Sequence, residues 1–301
     1  MTTRTYATPG AFKHALEQRL RTATKTGVEL ARKRQLLVFD RLLARIITVF
    51  GDAVVLKGGL VLELRLTRAR TTKDIDLRVI GSPGELLAKL QTAGRLNLGD
   101  YMNFEVAPHP DHPEIENDGM QYEGQRFRAE CRLAGKIYGR PFGVDVVLGE
   151  PMFGEIEVAT AHDELAFAGI ESPRVQIYPI ETHIAEKLHA FTMPRSRPNS
   201  RVKDLPDIAL LATARALDAK RLRTAIVQTF DHRKTHPVPD RLPEPSSAWS
   251  APYASMARED LLPWPALGAV TSAARDFLDP VLAGDLNATW DPALWRWRPI
   301  E

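Results

Sequence analysis

Residues 56–66, LKGGLVLELRL, followed at 71–79 by TTKDIDLRV, decide how this chain is read. An apolar run halted by two glycines predicts a short buried strand, a turn and a helix leaving it. Without Cβ atoms, Gly58 and Gly59 permit positive φ and let a ligand approach the backbone. Amides at the helix N-terminus that follows suit an anion. A tight turn that needs glycine for steric reasons and binds nothing explains the same pair. In the strand predicted at DIDLRVIG, the side-chain period of two puts Asp74 and Asp76 on one face and Ile75 on the other. Two carboxylates about 4 Å apart repel by about 4 kcal/mol at an effective dielectric of about 20. A neighbouring arginine, a shared proton or a divalent cation offsets that. Mg2+ takes one or two carboxylates and completes its shell with water and phosphate oxygens. Arg70, Lys73 and Arg78 are the alternative partners, and with them the pair is an ordinary polar strand face.

Outward from this stretch, residues 11–22 and 24–49 read as helices, the second from apolar residues at helical spacing. SPGELLAKLQTAG reads as a short amphipathic helix with a serine cap and a glycine stop. Between about 101 and 149 the pattern changes to strands: MNFEV, QRFRAECRL and FGVDVVLG. Beyond 150 the chain reads as mainly helical, with a proline-rich surface connection at 236–252. The expected fold is α+β: a small mixed sheet flanked by helices, then a mainly helical C-terminal half. The expected divisions are N-terminal helices at 1–50, an α/β core at 51–160 and a helical domain at 161–301. At 301 residues, two packed subdomains are expected.

Other residues extend the possible site. Asp145, between valines in an apolar strand, is costly unless paired or coordinated. Beside the DIDL strand it would share a metal and help deprotonate an attacking hydroxyl; satisfied by an arginine or backbone amides, it would be structural. Lys187, in IETHIAEKLHAF, either snorkels to water or meets phosphates, and Glu186 beside it reads as a surface charge. Asp204 and Asp207 in RVKDLPDIALL flank Pro206 at a helix start, where at least one is expected to cap.

Taken together, LKGGLVLELRL with RTTKDIDL, the acid in GVDVVLGEP, IAEKLHAF and RVKDLPDIALL resemble the AbiEii/AbiGii-type nucleotidyltransferase toxins of the DNA-polymerase-β-like superfamily, to which the MenT-like toxins also belong. These elements run from about 54 to 212. The resemblance implies a bacterial toxin–antitoxin enzyme that transfers NMP from NTP to an acceptor, expected to be the 3′ end of tRNA as in some family members, and so blocks translation. It implies that Gly58 and Gly59 approach the nucleotide, that Lys57 either positions phosphate or holds a structural salt bridge, that Asp74 and Asp76 bind Mg2+ or Mn2+, and that Lys187 meets phosphates. Asp145 corresponds to the third carboxylate and metal ligand, and Asp204 to the fourth-motif aspartate, with Asp207 competing. Relatives commonly carry a hydroxyl residue after the glycines; here it is Leu60, which leaves phosphate contact to backbone amides. The RNA surface implied is the arginine-rich loop with Arg195, Arg197, Arg201 and Lys203, together with basic residues between Lys13 and Arg45.

The rival readings are nucleotidyl transfer to a protein or small molecule, as in antibiotic-modifying relatives, and an inactive nucleotide-binding module. A net charge of +2 excludes any argument from global basicity. The single cysteine, Cys131, excludes an internal disulfide and a cysteine-rich zinc site, fits a reducing cytosol and reads as a strand-borne core residue. No apolar run approaches a membrane span, so a cytoplasmic protein with an antitoxin partner and no membrane association is expected.

Overall fold

The computed structural model describes residues 6–66, 71–115, 124–149, 151–195 and 201–300. The chain opens with α1 (Pro9–Thr22) and α2 (Gly27–Phe50). Thr8 caps α1 by accepting from the Ala11 amide, and Thr26 caps α2 by accepting from Glu29. The Glu29 carboxylate reaches back to the Lys25 amide, so start signals just before Gly27 set the helix beginning. The core elements follow: β1 (Val54–Lys57), α3 (Gly59–Arg65), β2 (Ile75–Val79), α4 (Leu86–Arg95), β3 (Met102–Pro108), β4 (Gly124–Leu133), β5 (Lys136–Ile137) and β6 (Phe142–Leu148). Next come β7 (Glu157–Thr160), β8 (Arg174–Ile177), α5 (Ile180–Thr192), α6 (Asp204–Ala212), β9 (Leu217–Asp218) and α7 (Ala219–Arg233). The described chain ends through α8 (Ser250–Glu259), α9 (Leu267–Leu282), β10 (Ala288–Asp291) and β11 (Arg296–Pro299).

The fold is the expected mixed one. Its main sheet runs β3-β4-β6-β2-β1-β8-β7, with β5 on β4; β2–β6 and β1–β8 are parallel and the other pairs antiparallel. A smaller sheet, β11-β10-β9, lies in the C-terminal half. β7 and β8 were not anticipated: each has four residues, and β8 gains its place by pairing with β7 and with β1, far earlier in the chain. A second difference concerns α4. Ser82 does not cap it, and the residue at its N-cap, Glu85, makes no side-chain cap. Gly94 is not a stop but a close-packing point, since a Cβ there would overlap the Phe104 carbonyl oxygen.

Apolar side chains form two clusters. The first joins α1, α2, α4 and the core face of the sheet, including Cys131. The second joins α5 through α9 with Trp290. α3 touches both, because Leu60 and Val61 belong to the first cluster and Leu62 to the second. The helix after the glycine turn is therefore wedged at the seam.

In the basic N-terminal region Arg19, Arg21 and Lys25 stay exposed, whereas Arg32, Lys33, Arg34, Arg41 and Arg45 turn to acids. Arg32 is bidentate on Glu63, Arg34 pairs with Glu17, and Lys33 meets Glu164 at 3.0 Å. Arg41 and Arg45 are buried and converge on Asp100, with Arg45 Nη2 2.6 Å from Oδ1 and Arg41 Nε 2.7 Å from Oδ2. Burial opposes ionisation of Asp100, but Arg45 and then Arg41 outweigh it and hold the carboxyl below its ordinary value. Asp100→Asn leaves two buried guanidiniums without their carboxylate, and we expect a loss of about 3–5 kcal/mol at neutral pH. A depressed folded-state value means this contribution is present above the ordinary carboxylate value and is lost as pH falls through the lowered one. Denaturant unfolding at neutral and acid pH checks this: the deficit of the variant should shrink as the pH is lowered.

Candidate nucleotidyltransfer site

Strand register builds the centre of the site. Lys57 on β1 lies opposite Asp76 on β2, Asp76 beside Asp145 on β6, and Asp145 opposite Arg126 on β4. This one row crosses four strands with two cations outside and two carboxylates inside. Asp76 is half-buried. Burial, reinforced by the Asp145 carboxylate, pushes the Asp76 carboxyl above its ordinary range, with Lys187 and Lys57 pulling the other way. Arg126 takes both oxygens of Asp145, at 2.8 Å each. Asp74 lies just before β2 and accepts the Gly143 amide at 3.1 Å.

Two glycines make room for these acids. Gly58 has φ +69° at the N-cap of α3, and a Cβ there would overlap the carboxylate of Asp76. The turn thus needs glycine both for backbone conformation and for the approach of Asp76. A Cβ on Gly143, in β6, would stand 2.7 Å from Asp74 Oδ1.

The helices supply the facing wall. The Tyr178 amide donates to the Leu56 carbonyl at 2.9 Å as β8 runs into α5, which sets that helix beside the glycine turn. Lys187 on α5 is held by Asp204 Oδ1 at 3.2 Å and Asp207 Oδ2 at 2.8 Å, and Arg201 Nε reaches Asp204 Oδ2 at 2.6 Å. The N-cap of α6 is Lys203 and carries no side-chain cap, so the two aspartates serve Lys187 where capping was expected. Asp204 borders the cavity, while Asp207 is fully buried. Glu186, expected as a surface charge, is half-buried; it meets Lys57 at 3.2 Å, Arg233 at 3.1 Å and the Tyr178 hydroxyl at 3.2 Å. Lys57 therefore carries a structural ion pair as well as a place beside the glycines.

These groups enclose a cavity of about 800 Å³ that contains Lys57, Gly58, Gly59, Asp74, Asp76, Asp145, Lys187 and Asp204. Arg195, Arg201 and Lys203 also line it, and Arg197 lies outside the described residues. His183 is buried in its wall one turn before Lys187; burial drives its ring well below the ordinary value, and neither nitrogen has a partner among the described residues. The hard oxygens of Asp74 and Asp76 suit Mg2+ or Mn2+. Among the described residues no group of three or more His, Cys, Asp or Glu side chains is placed to hold a metal. Asp145, expected as a third ligand, is instead engaged by Arg126, and ligation would require that arginine to move away. Two carboxylates beside a glycine turn, faced by cations, can hold a divalent cation with a polyphosphate.

The family model described as "Nucleotidyl transferase AbiEii toxin, Type IV TA system" matches residues 41–279. The chain belongs to the AbiEii nucleotidyltransferase toxin family. Among solved structures, this AbiEii chain is similar to MenT4, a nucleotidyltransferase toxin from Mycobacterium tuberculosis H37Rv, at 18% identity and a TM-score of 0.55 over 93% of this chain and 92% of that one. JHP933 from Helicobacter pylori matches at 16% identity and a TM-score of 0.43, over 82% and 94%. No curated protein matches the chain. The family is one of nucleotidyltransferase toxins in type IV toxin–antitoxin systems, which implies an antitoxin partner and an NTP substrate.

Arg126, His183, Glu186 and Arg233 line the cavity and Gly143 holds Asp74, but none of them was singled out as a site residue from sequence. Gly143 alone left a local signal, a glycine inside a strand. Two predictions follow from the packing of this AbiEii site. Gly58→Ala should cost about 1–3 kcal/mol and displace Asp76, read as a lower unfolding midpoint together with loss of nucleotide transfer. Lys187→Met removes the cation shared by the buried Asp204 and Asp207 and should cost about 3 kcal/mol. Adding Asp207→Asn should recover part of that stability without recovering transfer, which thermal unfolding and initial rates on both variants will separate.

Proposed function

We propose that this AbiEii-family chain transfers NMP from an NTP to the 3′ end of an RNA, tRNA first among them, and thereby blocks translation. The carrying observation is the pair Asp74 and Asp76 at the wall of a cation-lined cavity whose turn is Gly58–Gly59. Asp74 and Asp76 would hold Mg2+ or Mn2+; when bound, the cation neutralises charge on the phosphates during transfer. Lys57, Lys187 and Arg233 face the triphosphate. The backbone amides after Gly59 take phosphate oxygens, which needs no hydroxyl at Leu60. Asp204 and Asp207 fix the Lys187 ammonium in place.

In the step itself, an acceptor hydroxyl oxygen bonds to the α-phosphorus while the bond from that phosphorus to the bridging oxygen breaks. Pyrophosphate leaves with the electron pair. The hydroxyl proton passes to a carboxylate at the cavity wall, Asp74 or Asp145. Arg195, Arg201 and Lys203 line the cavity near Lys187, where RNA and polyphosphate have equal claim on them. Among the described residues no helix is long and apolar enough to cross a membrane. A cytoplasmic protein neutralised by its antitoxin fits this reading.

The test is incubation with each labelled NTP, divalent cation and either total RNA or protein extract, followed by mass analysis of RNA 3′ ends. Label appearing only in protein or in small molecules would replace the RNA reading with the rival transfer reaction. Asp76→Asn keeps side-chain volume and removes a half-buried charge next to Asp145. We expect it to fold as stably as the parent or better, and to lose at least about 100-fold in transfer, more than a supporting partner typically costs.

A further inference from the structure

The carboxylate wall has a second side. A cavity of about 560 Å³ shares Asp74, Asp145, Arg126 and Lys73 with the first and adds His109 and Arg128. Its floor is the gap left by Gly143, which pairs with Arg128 across β4 and β6 and donates its amide to Asp74. Any side chain at that position would fill the gap and collide with Asp74. The two cavities therefore meet at the carboxylates, with the glycine turn and Lys187 only on the first side.

In-line displacement needs the attacking and leaving oxygens on opposite sides of the transferred phosphorus. With the polyphosphate at Gly58–Gly59, pyrophosphate departs into the first cavity, so the attacking hydroxyl approaches from the second. The rim there is cationic: Arg128 is exposed on the same sheet face as Arg126, and neither Arg128 nor Lys73 has an ion-pair partner among the described residues. The His109 ring, stacked on His112 at 6.1 Å, adds an aromatic surface of the kind on which bases stack. Such cations complement the charge of a phosphodiester strand.

We infer that the second cavity receives the 3′-terminal nucleotides of the acceptor RNA, with backbone phosphates on Arg128 and Lys73 and the terminal hydroxyl directed at the shared carboxylates. This rests on the transfer reaction proposed above and separates the acceptor surface from the Arg195–Lys203 side. The test measures two quantities on the full chain: anisotropy of a short fluorescent single-stranded RNA, and KM for NTP. Arg128→Glu should raise the RNA dissociation constant about 10-fold and reduce the salt slope by about one. KM for NTP and the unfolding midpoint should stay unchanged, since Arg128 is exposed and away from the glycine turn. Unchanged RNA affinity in Arg128→Glu overturns the inference, as does a wild type that binds no RNA. A wild type that binds RNA through Arg128 but adds no nucleotide supports the subsite and overturns the reaction.

Discussion

Two carboxylates in register on neighbouring parallel strands, Asp76 on β2 and Asp145 on β6, set the constraint around which this molecule is arranged. Like charges at that spacing repel, and partial burial removes the water that would screen them. The sheet answers by placing Lys57 and Arg126 on the strands outside them. The balance is incomplete for Asp76, whose carboxyl remains pushed toward the protonated form. A divalent cation would complement such a surface, as the transfer reaction proposed for it requires.

The site lies where two apolar cores meet, and α3 contributes to both. The sheet brings the acids and the glycine turn; the second core brings α5 and α6 with Lys187, Asp204 and Asp207. β8 links them, because its pairing with β1 delivers the chain directly into α5. A substrate held between the two cores would feel any shift of one against the other. Buried ion pairs such as Lys187 with its two aspartates resist such shifts, since separating them exposes uncompensated charge.

Charge that is clustered in sequence is dispersed in the fold. Arg32, Lys33, Arg34, Arg41 and Arg45 each turn inward or across to an acid from a distant segment. Among the described residues, Arg128 and Lys73 have no such partner, and they are far apart in sequence and share no local motif. A cationic surface built this way cannot be found by counting basic residues in a window.

The sequence by itself determined the strand–turn–helix at 54–65, the strand that carries Asp76, the strands of the 102–148 region and the buried role of Cys131. Each follows from a local period or from glycine's missing Cβ, which neighbours in the chain suffice to express. Tertiary structure alone decided that Arg126 takes Asp145, that Glu186 turns inward to Lys57 and Arg233, and that Asp204 and Asp207 hold Lys187 where a cap was expected. It also decided that Gly94 and Gly143 are contact points, and that β7 and β8 exist at all. These depend on register and on partners tens of residues away. A four-residue strand or a single charge carries no periodic signal, so its role appears only once the opposing surface is in place.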